Sequence, residues 1–132
     1  MMKLVGRGLV EGSASGKLLV SVQPISFLGA VEAETGVVVE KGHELYGEKL
    51  RGSILAIPYT VGSSVGAYVI YNLKKKGVGP EGIVAKKGDI TLVSGCALAG
   101  LPLADGFELK RLKEKAGRMA TLDGGSGILT LH

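Results

Sequence analysis

Tryptophan is absent from this 132-residue chain, and other aromatics are scarce, with two Phe and four Tyr. The core must therefore come from aliphatic side chains, which points to a turn-rich fold of aliphatic strands. Cysteine occurs once, at Cys96, which excludes an intrachain disulfide framework and suits a reducing compartment. With only two histidines, His43 and His132, the chain cannot hold a zinc site or an iron–sulfur cluster unaided. A self-contained metalloenzyme is excluded, and no residue is assigned to a metal. No apolar run approaches the roughly 20 residues that a membrane-spanning helix needs. Met1 to Val10 mixes charges and glycines where a secretory signal would place an apolar centre. The expected location is the cytoplasm, without membrane contact.

What the chain has in excess is glycine, at 22 positions, about one residue in six against a usual share of roughly 7%. The length fits one domain over residues 1–132 that buries a single core without staples. A formal charge of +4 invites a nucleic-acid reading, but the basic residues do not cluster with aromatics on one face. Lys74, Lys75 and Lys76 close a predicted helix, where cations complement the dipole. Lys110, Arg111, Lys113 and Lys115 alternate with acids and Leu112, as on a solvated face. No nucleic-acid partner is expected.

Glycine-punctuated aliphatic runs predict strands at Lys3 to Val5, Lys17 to Val22, Val37 to Glu40 and Ser53 to Pro58. Val65, Tyr68, Val69 and Leu73 then recur near helical spacing over Val65 to Lys75, with Gly77 as the stop. A strand follows at Gly82 to Lys86. Asp89 is placed to cap a second helix with Ile90, Val93, Ala97 and Leu98 on one face. The end of the chain predicts a hairpin, Arg118 to Leu122 and Ile128 to Leu131 around Asp123-Gly124-Gly125. Strands surrounding two main helices imply an α+β class with mixed β/β/α layers, and not a doubly wound sheet.

The segment richest in chemistry is Gly62-Ser63-Ser64, between an apolar strand and a helix. Unpaired N–H groups at a helix start, with the dipole behind them, can hold a carboxylate, a phosphate or a developing oxyanion. Plain capping by serine explains the same residues. Gly12-Ser13-Ala14-Ser15-Gly16 lacks the Gly-Lys-Ser/Thr of a phosphate loop and reads as a flexible hairpin turn. The stretch Gln23 to Val31 suits a binding loop or an ordinary packed connection equally, with Phe27 exposed in the former. Arg7, between two glycines, can grip a carboxylate with both nitrogens if a cleft closes nearby. Cys96 reads as a small buried hydrophobe, and His43 as part of a surface turn.

Several ordered motifs together resemble the small subunit of the aconitase X family. They are Gly6-Arg7-Gly8, Gly12 to Gly16, Pro24-Ile25-Ser26-Phe27-Leu28-Gly29, Glu34-Thr35-Gly36, Gly62-Ser63-Ser64 and Ala99-Gly100-Leu101-Pro102-Leu103. The resemblance spans nearly the whole chain. It implies a swivelling β/β/α domain with barrel-like sheets and two main helices, working as a heterodimer with a larger catalytic subunit. That partner carries the iron–sulfur cluster, and this chain binds no cofactor. Ser63 falls where aconitase-like enzymes place the proton-abstracting base, with Gly62 and Ser64, and less directly Arg7 and Ser26, on the substrate.

The implied reaction in archaeal pairs of the family is dehydration of a small phosphorylated hydroxy acid, 5-phosphomevalonate, to trans-anhydromevalonate 5-phosphate in an isoprenoid route. Bacterial relatives dehydrate cis-3-hydroxyproline, which is the second enzymatic reading. A non-catalytic anion-binding or assembly module is the third. Two departures stand out. Aconitases and isopropylmalate isomerases follow the paired serines with Arg-Glu-His, where this chain has Val65, Gly66 and Ala67. Family members also often carry Gly-Gly-Val-Asp where this sequence has Gly29-Ala30-Val31-Glu32.

Overall fold

A computed structural model describes residues 1–132. Eight strands join in one sheet. They are β1 (Met2–Val5), β2 (Arg7–Val10), β3 (Ser13–Val20), β4 (Ser53–Ile57), β5 (Gly82–Ala85), β6 (Leu103–Asp105), β7 (Met119–Asp123) and β8 (Ile128–Leu131). Their spatial order is β1-β8-β7-β3-β4-β5-β6-β2. The middle four, β3 to β6, run parallel, and the flanking strands pair antiparallel. Four helices complete the chain: α1 (Phe27–Ala30), α2 (Gly66–Lys76), α3 (Ile90–Ala99) and α4 (Leu109–Lys113).

Strand alternation splits the interior into two cores. Leu55, Ile57, Ile83, Ala85 and Leu103 meet Phe27 of α1, Ile70 and Leu73 of α2, and Leu92 and Cys96 of α3. Ile54, Ala56, Val84 and Ala104, one residue out of phase, meet Leu109 and Leu112 of α4 and the aliphatic face of β7 and β8. The result is the β/β/α layering expected, with fully buried central strands reading as unbroken apolar runs.

β1 and β2 stand at opposite ends of the strand order although only Gly6 separates them. The sheet curls until β2 lies against the β7–β8 turn, and the contact is backbone on backbone. Gly6 N–H donates to Gly127 O at 2.8 Å and Gly124 N–H to Gly12 O at 2.8 Å. A Cβ on Gly8 would sit 2.2 Å from Gly125 O, and one on Gly124 would sit 2.0 Å from Val10 O. Part of the glycine excess thus lines an internal seam that side chains would force open.

Four local expectations need correction. Ser13 to Gly16 is the first half of β3, paired with β7, and no flexible turn. Val37 to Glu40 makes only isolated bridges, Val31 with Val38 and Val37 with Lys49. Phe27 is buried in the helix-side core. In α3 the buried residues are Leu92, Gly95 and Cys96, while Ile90 and Leu98 of the predicted face point to solvent. The Asp89 cap, the Gly77 stop and the terminal hairpin are as expected.

Candidate active site

The parallel strands β3, β4, β5 and β6 release their connections at one rim, the end where ligands gather in parallel sheets. The connections from three of these strands are stitched together there. Ile25 bridges Thr60, and Val61 N–H donates to Ile25 O at 3.1 Å. The Asp89 carboxylate accepts from the Thr60 amide and from its hydroxyl, both at 2.7 Å, and also from Leu92 N–H at 3.1 Å. It therefore caps α3 and fixes the neighbouring loop with the same two oxygens. Lys86 and Lys87 amides both donate to Pro58 O, at 3.2 and 3.0 Å.

Gly62-Ser63-Ser64 forms the crest of this rim. Gly62 has φ +89°, in the left-handed region, which turns the chain sharply ahead of α2. The next residues wind one tight turn into the helix, Gly66 N–H donating to Ser63 O at 3.0 Å and Ala67 N–H to Ser64 O at 3.2 Å. Val65 N–H donates to Ser63 Oγ at 3.1 Å. The amides of Gly62, Ser63 and Ser64 have no acceptor in the protein. Three consecutive unengaged donors stand beside the positive end of an 11-residue helix, where the dipole favours negative charge. An N–H aimed at Ser63 Oγ favours the ionised form of that hydroxyl over the neutral one.

Ser26 joins the same crest. A Cβ on Gly62 would lie 2.6 Å from Ser26 Oγ, so the two residues face each other closely. Ser26 precedes α1 without capping it through its side chain, leaving the hydroxyl uncommitted. Gly62, Ser63, Ser64 and Ser26 are thus brought together. Arg7 stands elsewhere on the rim, at the start of β2. Its Nε and Nη2 grip the Asp105 carboxylate at 3.0 and 2.8 Å, and Gly88 N–H adds a third bond to Asp105 at 2.9 Å. Burial pushes the Asp105 carboxyl up, but the Arg7 and Gly88 hydrogen bonds and the Arg7 charge outweigh it and hold the group below the usual carboxylate range. Arg7, Tyr59, Lys86, Lys87, Asp105 and Gly106 line an open cleft there.

Three groups escaped the sequence reading. Tyr59, Lys86 and Lys87 carry no motif, and only the parallel sheet explains why they share a rim. His43 is buried, not a surface turn residue. Leu45 N–H donates to its Nδ1 at 3.0 Å, so the proton is on Nε2, which donates to Pro24 O at 3.1 Å. Glu44 accepts from Ser21 Oγ at 3.0 Å and Val22 N–H at 2.5 Å, and pairs with Lys113 at 2.8 Å. These bonds overcome burial and keep its carboxyl below the usual range. Together they brace the segment that delivers Ser26.

An iron–sulfur cluster does not fit this chain. Cys96 is buried, its thiol is pushed up by burial, and no three His, Cys, Asp or Glu side chains gather anywhere.

The description "Aconitase X swivel domain" matches residues 3–131. The chain belongs to this family. Among curated relatives, the "Phosphomevalonate dehydratase small subunit" of Pyrococcus furiosus is 44% identical over 126 residues, covering 96% of this chain and 92% of that protein. The protein of the same description from Methanocella arvoryzae is 41% identical over 131 residues, covering 98% and 99%. The crystal structure of Thermococcus kodakaraensis aconitase X in its holo-form superposes with a TM-score of 0.95 at 36% identity, covering 100% of this chain and 99% of that one. The swivel fold of the aconitase X family is therefore the fold of this chain.

Proposed function

We propose that this chain is the small subunit of a phosphomevalonate dehydratase, a hydro-lyase of the archaeal mevalonate route, in which Ser63 takes the proton. The relatives' shared description supports the activity and implies a larger partner subunit. The observation that carries the assignment of Ser63 is the crest geometry: an oxygen held by Val65 N–H, beside three free amides at a helix start.

In the reaction, the C–H bond beside the substrate carboxylate breaks and its proton passes to Ser63 Oγ. A C–O bond then breaks and a double bond forms, the departing hydroxide takes up a proton from solvent to leave as water, and Ser63 returns its proton to solvent to reset. Removing a proton beside a carboxylate builds enolate-like charge on the carboxylate oxygens. The amides of Gly62, Ser63 and Ser64, with the Ser64 and Ser26 hydroxyls, meet that charge without reorganising. A free serine hydroxyl is too weakly acidic to serve as a base, and the Val65 amide and the α2 dipole lower that barrier. The iron–sulfur centre that the family resemblance implies belongs, on this reading, to the larger subunit. Residues 1–132 act as one swivelling domain in the cytoplasm.

Reconstitution with the larger subunit tests this. The isolated chain is expected to be inactive and the complex to dehydrate 5-phosphomevalonate. Ser63→Ala should cut kcat by about 10²- to 10⁴-fold with assembly intact. Wild-type turnover by that variant overturns Ser63 as base. The capping bond to Ser63 Oγ also suits a non-catalytic module, and Ser63→Asn, which preserves a cap, separates the two. Full activity in that variant would favour the module. Preference for cis-3-hydroxyproline over 5-phosphomevalonate would favour the bacterial type of reaction.

A further inference from the structure

The geometry points to the cleft between Arg7, Tyr59, Lys86 and Lys87 as the site that holds the substrate's phosphomonoester, an inference that rests on the dehydratase reading. A phosphorylated hydroxy acid carries anions at both ends of its carbon chain, and the crest amides provide for only one of them. A site for the second anion has to lie within a substrate's length of the crest and offer about two positive charges, because a phosphomonoester carries about −1.5 to −2 near neutral pH.

The cleft meets both conditions. Arg7, Lys86 and Lys87 contribute three cations against the single Asp105 carboxylate, leaving two positive charges uncompensated. Asp105 is almost fully buried and already receives three hydrogen bonds, so it does not compete for the lysines. Neither lysine ammonium has a salt bridge or hydrogen bond in the protein, and Arg7 Nη1 is unengaged beyond the two nitrogens that Asp105 holds. The Asp105 fork fixes the guanidinium plane, so a phosphate would meet a pre-oriented donor. The main chain is pinned as well, since both lysine amides donate to Pro58 O.

Position completes the argument. Pro58 and Tyr59 lead directly through Thr60 and Val61 to Gly62 and Ser63, and four peptide units span at most about 14 Å. Thr60 is locked to Asp89, so cleft and crest are held on one braced loop. Lys86 and Lys87 thereby act as specificity-determining residues for the phosphorylated end, while Ser63 serves the carboxylate end.

Calorimetric titration of the two-subunit complex with 5-phosphomevalonate and with mevalonate decides the matter, alongside turnover. Wild-type complex should bind the phosphorylated compound at least tenfold more tightly. The double variant Lys86→Ala/Lys87→Ala should lose most of that preference, raise KM for 5-phosphomevalonate tenfold or more with a smaller change in kcat, and lose competitive inhibition by inorganic phosphate. A preference, KM and phosphate inhibition unchanged in the double variant overturn the inference while leaving the dehydratase reading standing. A wild-type complex that neither dehydrates nor binds 5-phosphomevalonate overturns that reading, and with it the cleft assignment. Lys74→Ala, on the outer end of α2, controls for general loss of positive charge.

Discussion

Gly62 carries two constraints at once. Its φ of +89° costs an ordinary residue about 1–2 kcal/mol, and any Cβ would press on Ser26 Oγ at 2.6 Å. Gly62→Ala is therefore expected to move the crest as well as strain it, so kcat should fall at least tenfold while thermal unfolding shifts only a few degrees. Turnover and a melting curve on the same preparation check both halves. His43 makes a different prediction. It pairs Leu45 N–H and Pro24 O through opposite ring nitrogens, so His43→Phe strands a buried donor and an acceptor at roughly 1–3 kcal/mol each. Chemical denaturation should show the loss, and hydrogen exchange should rise in residues 21–27. Nothing in the sequence marks His43, directly after Gly42 in a polar turn, as buried, because the strand-end loop that it supports is distant in the chain.

At the scale of elements, the α2–α3 contact is set by small residues. A Cβ on Gly95 would lie 2.9 Å from Ile70 Cδ1 and 3.1 Å from the Ala67 backbone, and one on Gly66 would lie 3.3 Å from Thr91. Gly95→Val should force the helices apart and cost about 1–3 kcal/mol, read as a lower denaturation midpoint. The same contact explains which face of α3 is hidden. Every turn of that helix carries apolar residues, so periodicity cannot choose a side, and Ile90 and Leu98 look as suitable for burial as Leu92. The close approach at Gly95 chooses. By contrast α2 was legible at its end, where Gly77 and the lysines stop it, and the β7–β8 hairpin from its turn chemistry. The crest motif was legible too, but its free amides were not, since those depend on how the whole loop from Pro58 onward is tied to Asp89. β2 and β6 are too short for alternation to reveal, and their pairing brings Arg7 to Asp105.

For the whole molecule, acid stability draws on three carboxylates, one of them the exposed Asp123, which the Ser126 and Gly125 amides hold below the usual range in the β7–β8 turn. Asp105 and Glu44 are both held below the usual carboxylate range in the folded chain. A group with a depressed folded pKa contributes its stability above its unfolded value, about 3.9 for Asp and about 4.3 for Glu, and loses it as pH falls through the folded value. Stability should thus hold from neutrality to about pH 5 and decline below about pH 4. Asp105→Asn should lower the neutral plateau and flatten that decline, as read by denaturation midpoints across the acid range.

The pairing of β1 with β8, in register from Met2 with Leu131 to Val5 with Ile128, has one more consequence. The two ends of the described chain lie side by side, so the fold is a ring with a single nick. Joining them through a short glycine linker should yield a cyclic polypeptide with the same sheet. New ends could then be opened in the exposed loop around Lys41 and Gly42, far in sequence from the crest. Such a permutant should keep the same strand pairing while starting and finishing translation at a different point of the circle.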